Sequence, residues 1–301
     1  MELDARTLQI VSSKSQADKA ISSLKGILLG INFDSEVNEN EITELECWAR
    51  LHKELVLRNP FKEFMTIIEN TLSNNIPRIE AIEDLYWLCQ KYEGENYYYS
   101  GITTDLQTLQ GLCHGILADG IINDKEIFAL NNWLEENTHL STYYPYDEIR
   151  SLIRSIVADG KITEDEKLIL KAYFSQFVNL RNSKIKRQLQ LETSDINIFG
   201  LCANDPSIIF KDRTFCITGV LKRESRGTLR SKIIQLGGIP VENLSKKTDY
   251  LIVGDNGNPA WAFSCYGRKV EKAINMRKDG HNIVLVHEFD FGDIVDDKLY
   301  S

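Results

Sequence analysis

The last hundred residues alternate short apolar runs with helical patterns. Runs rich in β-branched and aromatic residues, as expected of strands, occupy 213–219, 239–241, 250–254 and 283–286. Helical patterns cover 228–236, with Ser225 as a possible N-cap, and 268–277. Strands that alternate with helices predict a four-stranded parallel sheet with helices on its faces. The run at 239–241 is short and is expected at an edge of that sheet.

The first two thirds of the chain contain an internal repeat. Its pattern reads Asp, a turn, an apolar residue, Asn or Thr, an acid, any residue and Glu. Copies begin at Asp34, Asp119 and Asp159, with a degenerate copy at Ser73. The Asn or Thr stands where a helix N-cap belongs, and the Glu three residues later completes a capping box. A repeat of about 40 residues fits helix pairs that bury their apolar faces on one another.

The Asp-Gly turns also resemble the second half of a calcium-binding EF-hand loop. Residues 119–126 and 159–166 match D-G-x-I-x-x-x-E. Earlier ligand positions fall on apolar residues such as Leu117 and Val157, which cannot coordinate a hard cation. Capped turns between helices are therefore the favoured interpretation. A weaker hypothesis is a divalent-cation site that uses Asp119, Glu126, Asp159 and Glu166.

This part of the chain resembles the tellurite-resistance TerB-like helical domains. Their recurrent A-D-G-x-I-x-x-x-E turn matches residues 118–126 and 158–166, whereas Ser35 replaces the Gly after Asp34. The resemblance implies an all-α helical repeat region over 1–193, with room for subdomains at about 1–100 and 101–193. In that family the acidic turns have been linked to metal ions, which is why the cation hypothesis is kept.

A stretch mixing Ser, Asn, Gly and Asp, residues 194–205, predicts a linker before a last domain at 206–301. The motifs that follow are T-G-V-L, S-R-G-T-L-R-S-K-I, L-G-G-I-P-V, S-K-K-T-D-Y-L-I-V-G and G-R-K-V-E-K-A. They resemble a BRCT domain of the type found in NAD-dependent DNA ligases and the large subunit of replication factor C. Two departures are Phe289 and Phe291, where many members have Trp, and a long loop at 255–266.

The resemblance implies a phosphate pocket at the end of the first strand. Its Ser/Thr, Gly and Lys positions match Thr218, Gly219 and Lys269, and Arg226 matches an additional basic residue of the replication-factor-C type. Ligands reach such sheets at the carboxyl ends of strands and at helix N-termini. Neighbouring basic candidates are Arg268 and Lys272. The competing interpretation is a turn with solvated basic side chains, as in BRCT domains that mediate only protein contacts.

Further residues around this pocket have side chains suited to nucleic acid. Arg223 and the stretch 245–248 are candidates for neighbouring backbone phosphates, which position a protein without reading sequence. Aromatic residues of the long loop are candidates to stack on a terminal base or to pack against the domain. They are Trp261, Phe263 and Tyr266.

The formal charge of −9 is unevenly distributed. Residues 206–301 carry 15 Lys/Arg and 12 Asp/Glu, or +3, and the remainder carries 20 and 32, or −12. Nucleic acid is therefore expected at the last domain. The sequence predicts a non-enzymatic adaptor in DNA repair or replication. We expect its BRCT-like domain to recognise the 5'-phosphate of a DNA end and its acidic helical region to meet a protein partner. The alternative is a phosphoprotein or protein scaffold in stress or phage defence.

No enzyme motif is apparent in the sequence. Residues 277–280 imitate the K-x-D-G nucleophile motif of ligases, but Arg277 stands where the lysine would form its adenylate. No P-loop, H-E-x-x-H or G-x-S-x-G is present, and no cofactor is expected beyond the weak divalent cation. No run of ~18 apolar residues and no signal sequence occur, so a cytoplasmic location without membrane contact is expected.

Overall fold

The structure is a computed structural model that describes residues 5–53, 61–73, 76–93, 101–196, 203, 206, 208–254 and 268–300. Within these ranges the side chains of residues 5–16, 93, 268 and 271 are not described. The chain forms two compact units that are interleaved along the sequence. The helical unit comprises residues 1–130 and 162–196, and the sheet unit comprises 131–161 and 197–301. The predicted linear division at 194–205 stays a prediction.

The N-terminal two thirds are helical, as the repeat predicts. The helices are α1 (Ala5–Asn32), α2 (Glu39–Leu51), α3 (Phe61–Leu72), α4 (Arg78–Glu93), α5 (Gly101–Leu117), α6 (Asp124–Glu136), α7 (Tyr146–Val157), α8 (Glu164–Phe174) and α9 (Ser183–Glu192). None of the described helices combines the length and apolarity needed to cross a bilayer.

The full repeat turns begin helices in the predicted way. Asn38 caps α2 by accepting from the backbone N–H of Glu41, whose carboxylate accepts the Asn38 N–H at 2.7 Å. The equivalent pairs at α6 and α8 are Asn123 with Glu126 and Thr163 with Glu166. In the degenerate copy residues 74–75 lie outside the described part, and α4 begins at Arg78 directly after Pro77. The capping interpretation of the turns is confirmed for the three full copies.

Glycines allow α1 and α5 to pack closely. A Cβ on Gly26 would lie 2.1 Å from the carbonyl oxygen of Thr108, and one on Gly115 would lie 2.3 Å from that of Ile27. Gly30 and Gly111 face equally close backbone on the opposite helix. A larger residue at these positions would push the helices apart. The apolar side of α1 also packs with α2, α3 and α4 in one core.

The sheet unit contains the predicted parallel sheet. Its elements are β1 (Thr214–Thr218), α10 (Arg226–Gln235), β2 (Ile239–Val241), β3 (Tyr250–Val253), α11 (Arg268–Lys278), β4 (Val284–His287) and α12 (Glu288–Tyr300). The strand order is β2-β1-β3-β4, and all neighbouring strands are parallel. The predicted strands, and the edge position of β2, are therefore confirmed.

Two cores cover the two faces of the sheet. On one face, Phe215 packs with α10 and with the fully buried Phe291 of α12. On the other face, Cys216 packs with α11 through Val270. Side chains alternate along a strand, so Thr218, two residues after Cys216, lies on the α11 face. The long loop with Trp261, Phe263 and Tyr266 lies outside the described residues.

Helix α7 belongs to the sheet unit although it precedes the sheet in sequence. Asp147 in its first turn forms an ion pair with Arg277 of α11 at 3.1 Å, and Glu148 contacts the same guanidinium. The Arg277 side chain is fully buried, and its guanidinium lies 5.9 Å from the Tyr144 ring. Residues before the predicted linker therefore contribute to the structure around the sheet.

Candidate phosphate-binding site

The carboxyl end of β1 holds two of the predicted site residues. Thr218 ends the strand and is half-buried, and Gly219 follows with φ of 76°. Glycine is favoured at a positive φ because it has no Cβ. The N–H of Gly254 donates to the Thr218 carbonyl oxygen at 2.9 Å. A Cβ on Gly254 would lie 2.4 Å from the Val220 carbonyl oxygen, so the chain after β3 passes very close to the chain after β1.

Arg226 lies beside this strand end, at the first position of α10. Its Nη2 donates to the Gly219 carbonyl oxygen at 2.5 Å, and its Nη1 lies 3.5 Å from the Ile217 carbonyl oxygen. The guanidinium therefore contacts the residues on both sides of Thr218. Ser225 caps α10 by accepting from the Thr228 N–H at 3.1 Å. The N-terminus of α10, the positive end of its dipole, is at the same edge of the sheet.

Lys269 approaches from the α11 face. Its Nζ donates to the Glu242 carbonyl oxygen at 2.7 Å and lies 3.6 Å from the Cys216 sulfur. Because Thr218 and Cys216 share this face, the ammonium is on the same side of the sheet as the Thr218 hydroxyl. Burial raises the pKa of the Cys216 thiol, although the nearby Lys269 charge acts in the opposite direction.

The two remaining basic candidates also belong to α11. Lys272 donates to the Leu244 carbonyl oxygen at 3.0 Å, so its side chain contacts the loop between β2 and β3. Arg268 is the first residue of α11, and its side chain lies outside the described part. The structure thus gathers Thr218, Gly219, Arg226 and Lys269 around the end of β1, and it places Lys272 beside the neighbouring loop.

The partners of the site cations set them apart from several other basic residues of the domain. Ion pairs with carboxylates hold Arg213, Arg223, Arg230 and Lys232. Over the described part of the sheet unit, no carboxylate lies within ion-pair distance of Arg226 or Lys269, which contact only carbonyl oxygens and a thiol. Their charges are therefore available to an anion.

One acidic residue borders the site. The carboxylate of Glu242 is paired with Arg230 at 2.5 Å, and this guanidinium keeps the pKa of Glu242 below its usual value. Its charge is thereby offset. Arg223, considered above for DNA phosphates, is instead held by Asp293 at 2.5 Å and Asp296 at 2.8 Å on α12.

Sequence reasoning missed Glu288. This buried residue begins α12, and its carboxylate accepts the N–H groups of Lys222 and Arg223 at 3.0 Å. It thereby fixes the loop that follows Gly219 and leads to Arg226. An acidic residue directly after the last strand is visible in the sequence. Its role was not predictable from the sequence, because the N–H groups that it binds lie more than 60 residues earlier.

The acidic turns that begin at Asp34 and Asp119 meet as a pair. Asn38 donates through Nδ2 to Asp119 at 2.9 Å, and Asn123 donates in the same way to Asp34 at 2.8 Å. The predicted metal candidates Asp119 and Glu126 thus belong to this interlocked pair of turns. Asp159 accepts the Lys161 N–H of its own turn at 2.9 Å, and Glu166 completes the cap of α8. Among the described residues, no three His, Cys, Asp or Glu side chains are arranged to hold a metal ion.

The sheet order, with α10 and α12 on one face and α11 on the other, defines a BRCT-type α/β domain. Residues 205–279 match the family model described as the BRCA1 C Terminus (BRCT) domain. The chain therefore carries a BRCT domain after a helical N-terminal region. The match does not reach the helical region, for which the TerB-like resemblance stays a prediction.

The chain is also similar to curated DNA ligases. That of Fervidobacterium nodosum is 41% identical over 83 residues, or 28% of this chain and 10% of the ligase. That of Clostridium botulinum strain Langeland is 28% identical over 154 residues, or 51% and 19%. That of Thermoanaerobacter sp. strain X514 is 28% identical over 241 residues, or 72% and 32%. The chain thus spans between a tenth and a third of these relatives' length. No solved structure matches the chain.

Proposed function

We propose that the chain is a non-catalytic adaptor in DNA repair or replication whose BRCT domain binds the 5'-phosphate of a DNA end. One observation carries this proposal: Arg226 and Lys269 flank the end of β1 without a carboxylate partner in the described structure. A phosphate can take the place of the carbonyl oxygens they now contact, because hydrogen bonds between two charged groups are stronger than those to neutral acceptors. The Thr218 hydroxyl and the Gly219 N–H supply further donors.

Two observations favour DNA over a phosphoprotein. The curated relatives to which the chain is similar are named DNA ligases. The domain from 206 onward has a net charge of +3, whereas the rest of the chain has −12, so a polyanion such as DNA is attracted more to this domain than to the rest of the chain. In this proposal the acidic helical region meets a protein partner instead.

The test is fluorescence anisotropy of the full chain with a 5'-phosphorylated recessed duplex and its unphosphorylated twin. Arg226→Met and Lys269→Met each remove one charge-assisted phosphate contact of about 1.5–3 kcal/mol, so affinity for the phosphorylated duplex should fall about tenfold or more. Affinity for the unphosphorylated duplex should change little.

Lys298→Met is the matched control, because Lys298 is exposed near the end of α12, away from the carboxyl edge of the sheet. Equal binding of the two duplexes by the native chain would refute recognition of a 5'-phosphate. A phosphothreonine peptide is titrated in parallel. Phosphate-dependent binding of that peptide, without phosphate-dependent binding of DNA, would replace this proposal with the scaffold function.

A further inference from the structure

The helical unit contains a cleft that is separate from the BRCT site. Its volume is about 470 Å³, which lies within the range of pockets for small organic ligands. Walls come from α1, from the end of α2, from α5 and from the loop after α8. Gln110 of α5 donates to the Phe177 carbonyl oxygen at 3.0 Å and so fixes that loop against the helix.

Two basic side chains that line this cleft have no partner in the part of the chain that the structure describes. Lys19 of α1 and Arg181 of the loop after α8 both border it. Across the described residues, neither the Lys19 ammonium nor the Arg181 guanidinium has a hydrogen bond or an ion pair. This is notable because the chain before residue 206 carries 32 acidic residues against 20 basic ones. Two cations left unpaired at one cleft in an acidic region provide a place for an anion.

The carboxylate in the cleft is already compensated. Glu44 is only 1% exposed, and its Oε1 accepts from His114 Nε2 at 2.7 Å. The backbone N–H groups of Arg181 and Asn182 donate to its two oxygens at 2.7 and 2.8 Å. Burial opposes ionisation of Glu44, but these hydrogen bonds lower its pKa below the usual value. The oxygens of Glu44 are thus occupied by hydrogen bonds from His114 and the backbone, and neither Lys19 nor Arg181 forms an ion pair with Glu44.

A histidine provides an acceptor on the same cleft. His52 Nδ1 lies 2.9 Å from the Trp48 carbonyl oxygen, which can only accept, so Nδ1 carries the proton. Burial lowers the pKa of His52, and the charge of Arg181 lowers it further. A lowered pKa favours the neutral ring, and among the described residues its Nε2, which can accept a hydrogen bond, has no partner. Apolar wall is supplied by Leu51, 56% exposed, together with Phe177 and Val178.

We propose that this cleft binds a nucleoside monophosphate. The phosphate lies between Lys19 and Arg181, an N–H of the base donates to His52 Nε2, and the ring packs on the apolar wall. A nucleoside monophosphate combines the three required features, an acid, a planar body and an edge donor, in a molecule of suitable size for the cleft.

Isothermal titration of the full chain tests this, with AMP, GMP, CMP and UMP as ligands. Adenosine and inorganic phosphate are the two halves of AMP, and each should bind at least tenfold more weakly than AMP. The BRCT site is itself proposed to bind a 5'-phosphate, so every titration is repeated in the Lys269→Met chain. Binding that persists in that variant belongs to the cleft.

Lys19→Met and Arg181→Met should each weaken nucleotide binding at least tenfold, whereas Lys184→Met, an exposed lysine outside the cleft lining, should not. Lys19 is exposed on α1, so its substitution reports on binding even where Arg181→Met disturbs the loop. Absence of heat with all four nucleotides overturns the proposal. So does binding of inorganic phosphate as tight as that of AMP, or binding that Lys19→Met leaves unchanged.

Discussion

Glu41 and Glu126 occupy equivalent positions in the paired acidic turns, and both are buried. Burial raises the pKa of Glu41 to about 8 and that of Glu126 to about 9, and the charges of Asp34 and Asp119 add to the increase. A carboxyl whose folded pKa exceeds its ordinary value of 4.5 stabilises the fold in its protonated form. This contribution is complete below pH 4.5 and is lost as the pH rises through 8 to 9.

The helical unit should therefore unfold at a lower temperature at pH 9.5 than at pH 6.5, as measured by circular dichroism on the full chain. Each such group changes the free energy of unfolding by about 1 kcal/mol per pH unit. Glu126→Gln removes one titrating group and keeps an oxygen that accepts the Asn123 N–H. It should roughly halve the pH dependence, whereas Glu80→Gln, at an exposed position on α4, should leave it unchanged. The same dependence in Glu126→Gln and native chain would contradict this.

Local motifs allowed the residues around β1 to be predicted, because each lies next to a strand end or a helix start. Thr218 ends β1, Gly219 has the positive φ of the turn, and Arg226 begins α10. The role of Arg223 could not be read in the same way. Its partner Asp293 lies 70 residues later in the sequence, and only the packing of α12 brings them together. The sequence does not show that Arg223 forms ion pairs with carboxylates whereas Arg226 contacts carbonyl oxygens.

Among the contacts between elements, the one between α7 and α11 could not be predicted from the sequence. The residues involved, Asp147 and Arg277, are 130 positions apart, and a composition break at 194–205 lies between them. In the structure Arg277 is fully buried, and Asp147 also accepts the Thr142 N–H at 3.0 Å. Burial raises the pKa of Asp147, although Arg277 opposes this, and burial lowers the pKa of Arg277.

Removing one partner of a buried ion pair leaves an uncompensated charge, which costs about 3–5 kcal/mol. Arg277→Met should therefore lower the free energy of unfolding by about 3 kcal/mol or more in urea at pH 7. Adding Asp147→Asn to it should recover part of the loss, because one of the two buried carboxylates that lose their cation is then neutral. Lys278→Met, at the exposed neighbouring position, is the matched control. A loss below about 1 kcal/mol in Arg277→Met would show that the pair contributes little.

For the whole molecule, the comparisons and the structure limit what the resemblance to ligases can imply. The BRCT family match covers 205–279, and the chain spans only 10% to 32% of the length of the three ligases compared. Fold class was predictable because strand and helix patterns are local, and the parallel sheet follows from their alternation. The interleaving of the two units was not predictable, because it depends on contacts between distant segments.

The same argument leads to a prediction about catalysis. A ligase forms a covalent adenylate on lysine, but the K-x-D-G-like segment 277–280 begins with Arg277, whose guanidinium is held by two buried carboxylates. We expect no adenylyl adduct on the chain after incubation with NAD⁺ or ATP, measured by mass spectrometry under denaturing conditions that release any nucleotide held non-covalently. We also expect no sealing of a nicked duplex, with a DNA ligase run in parallel as the positive control. An adduct on any lysine would contradict the adaptor function and assign the chain a transferase step, since the cleft and the BRCT site as proposed bind their ligands without a covalent bond.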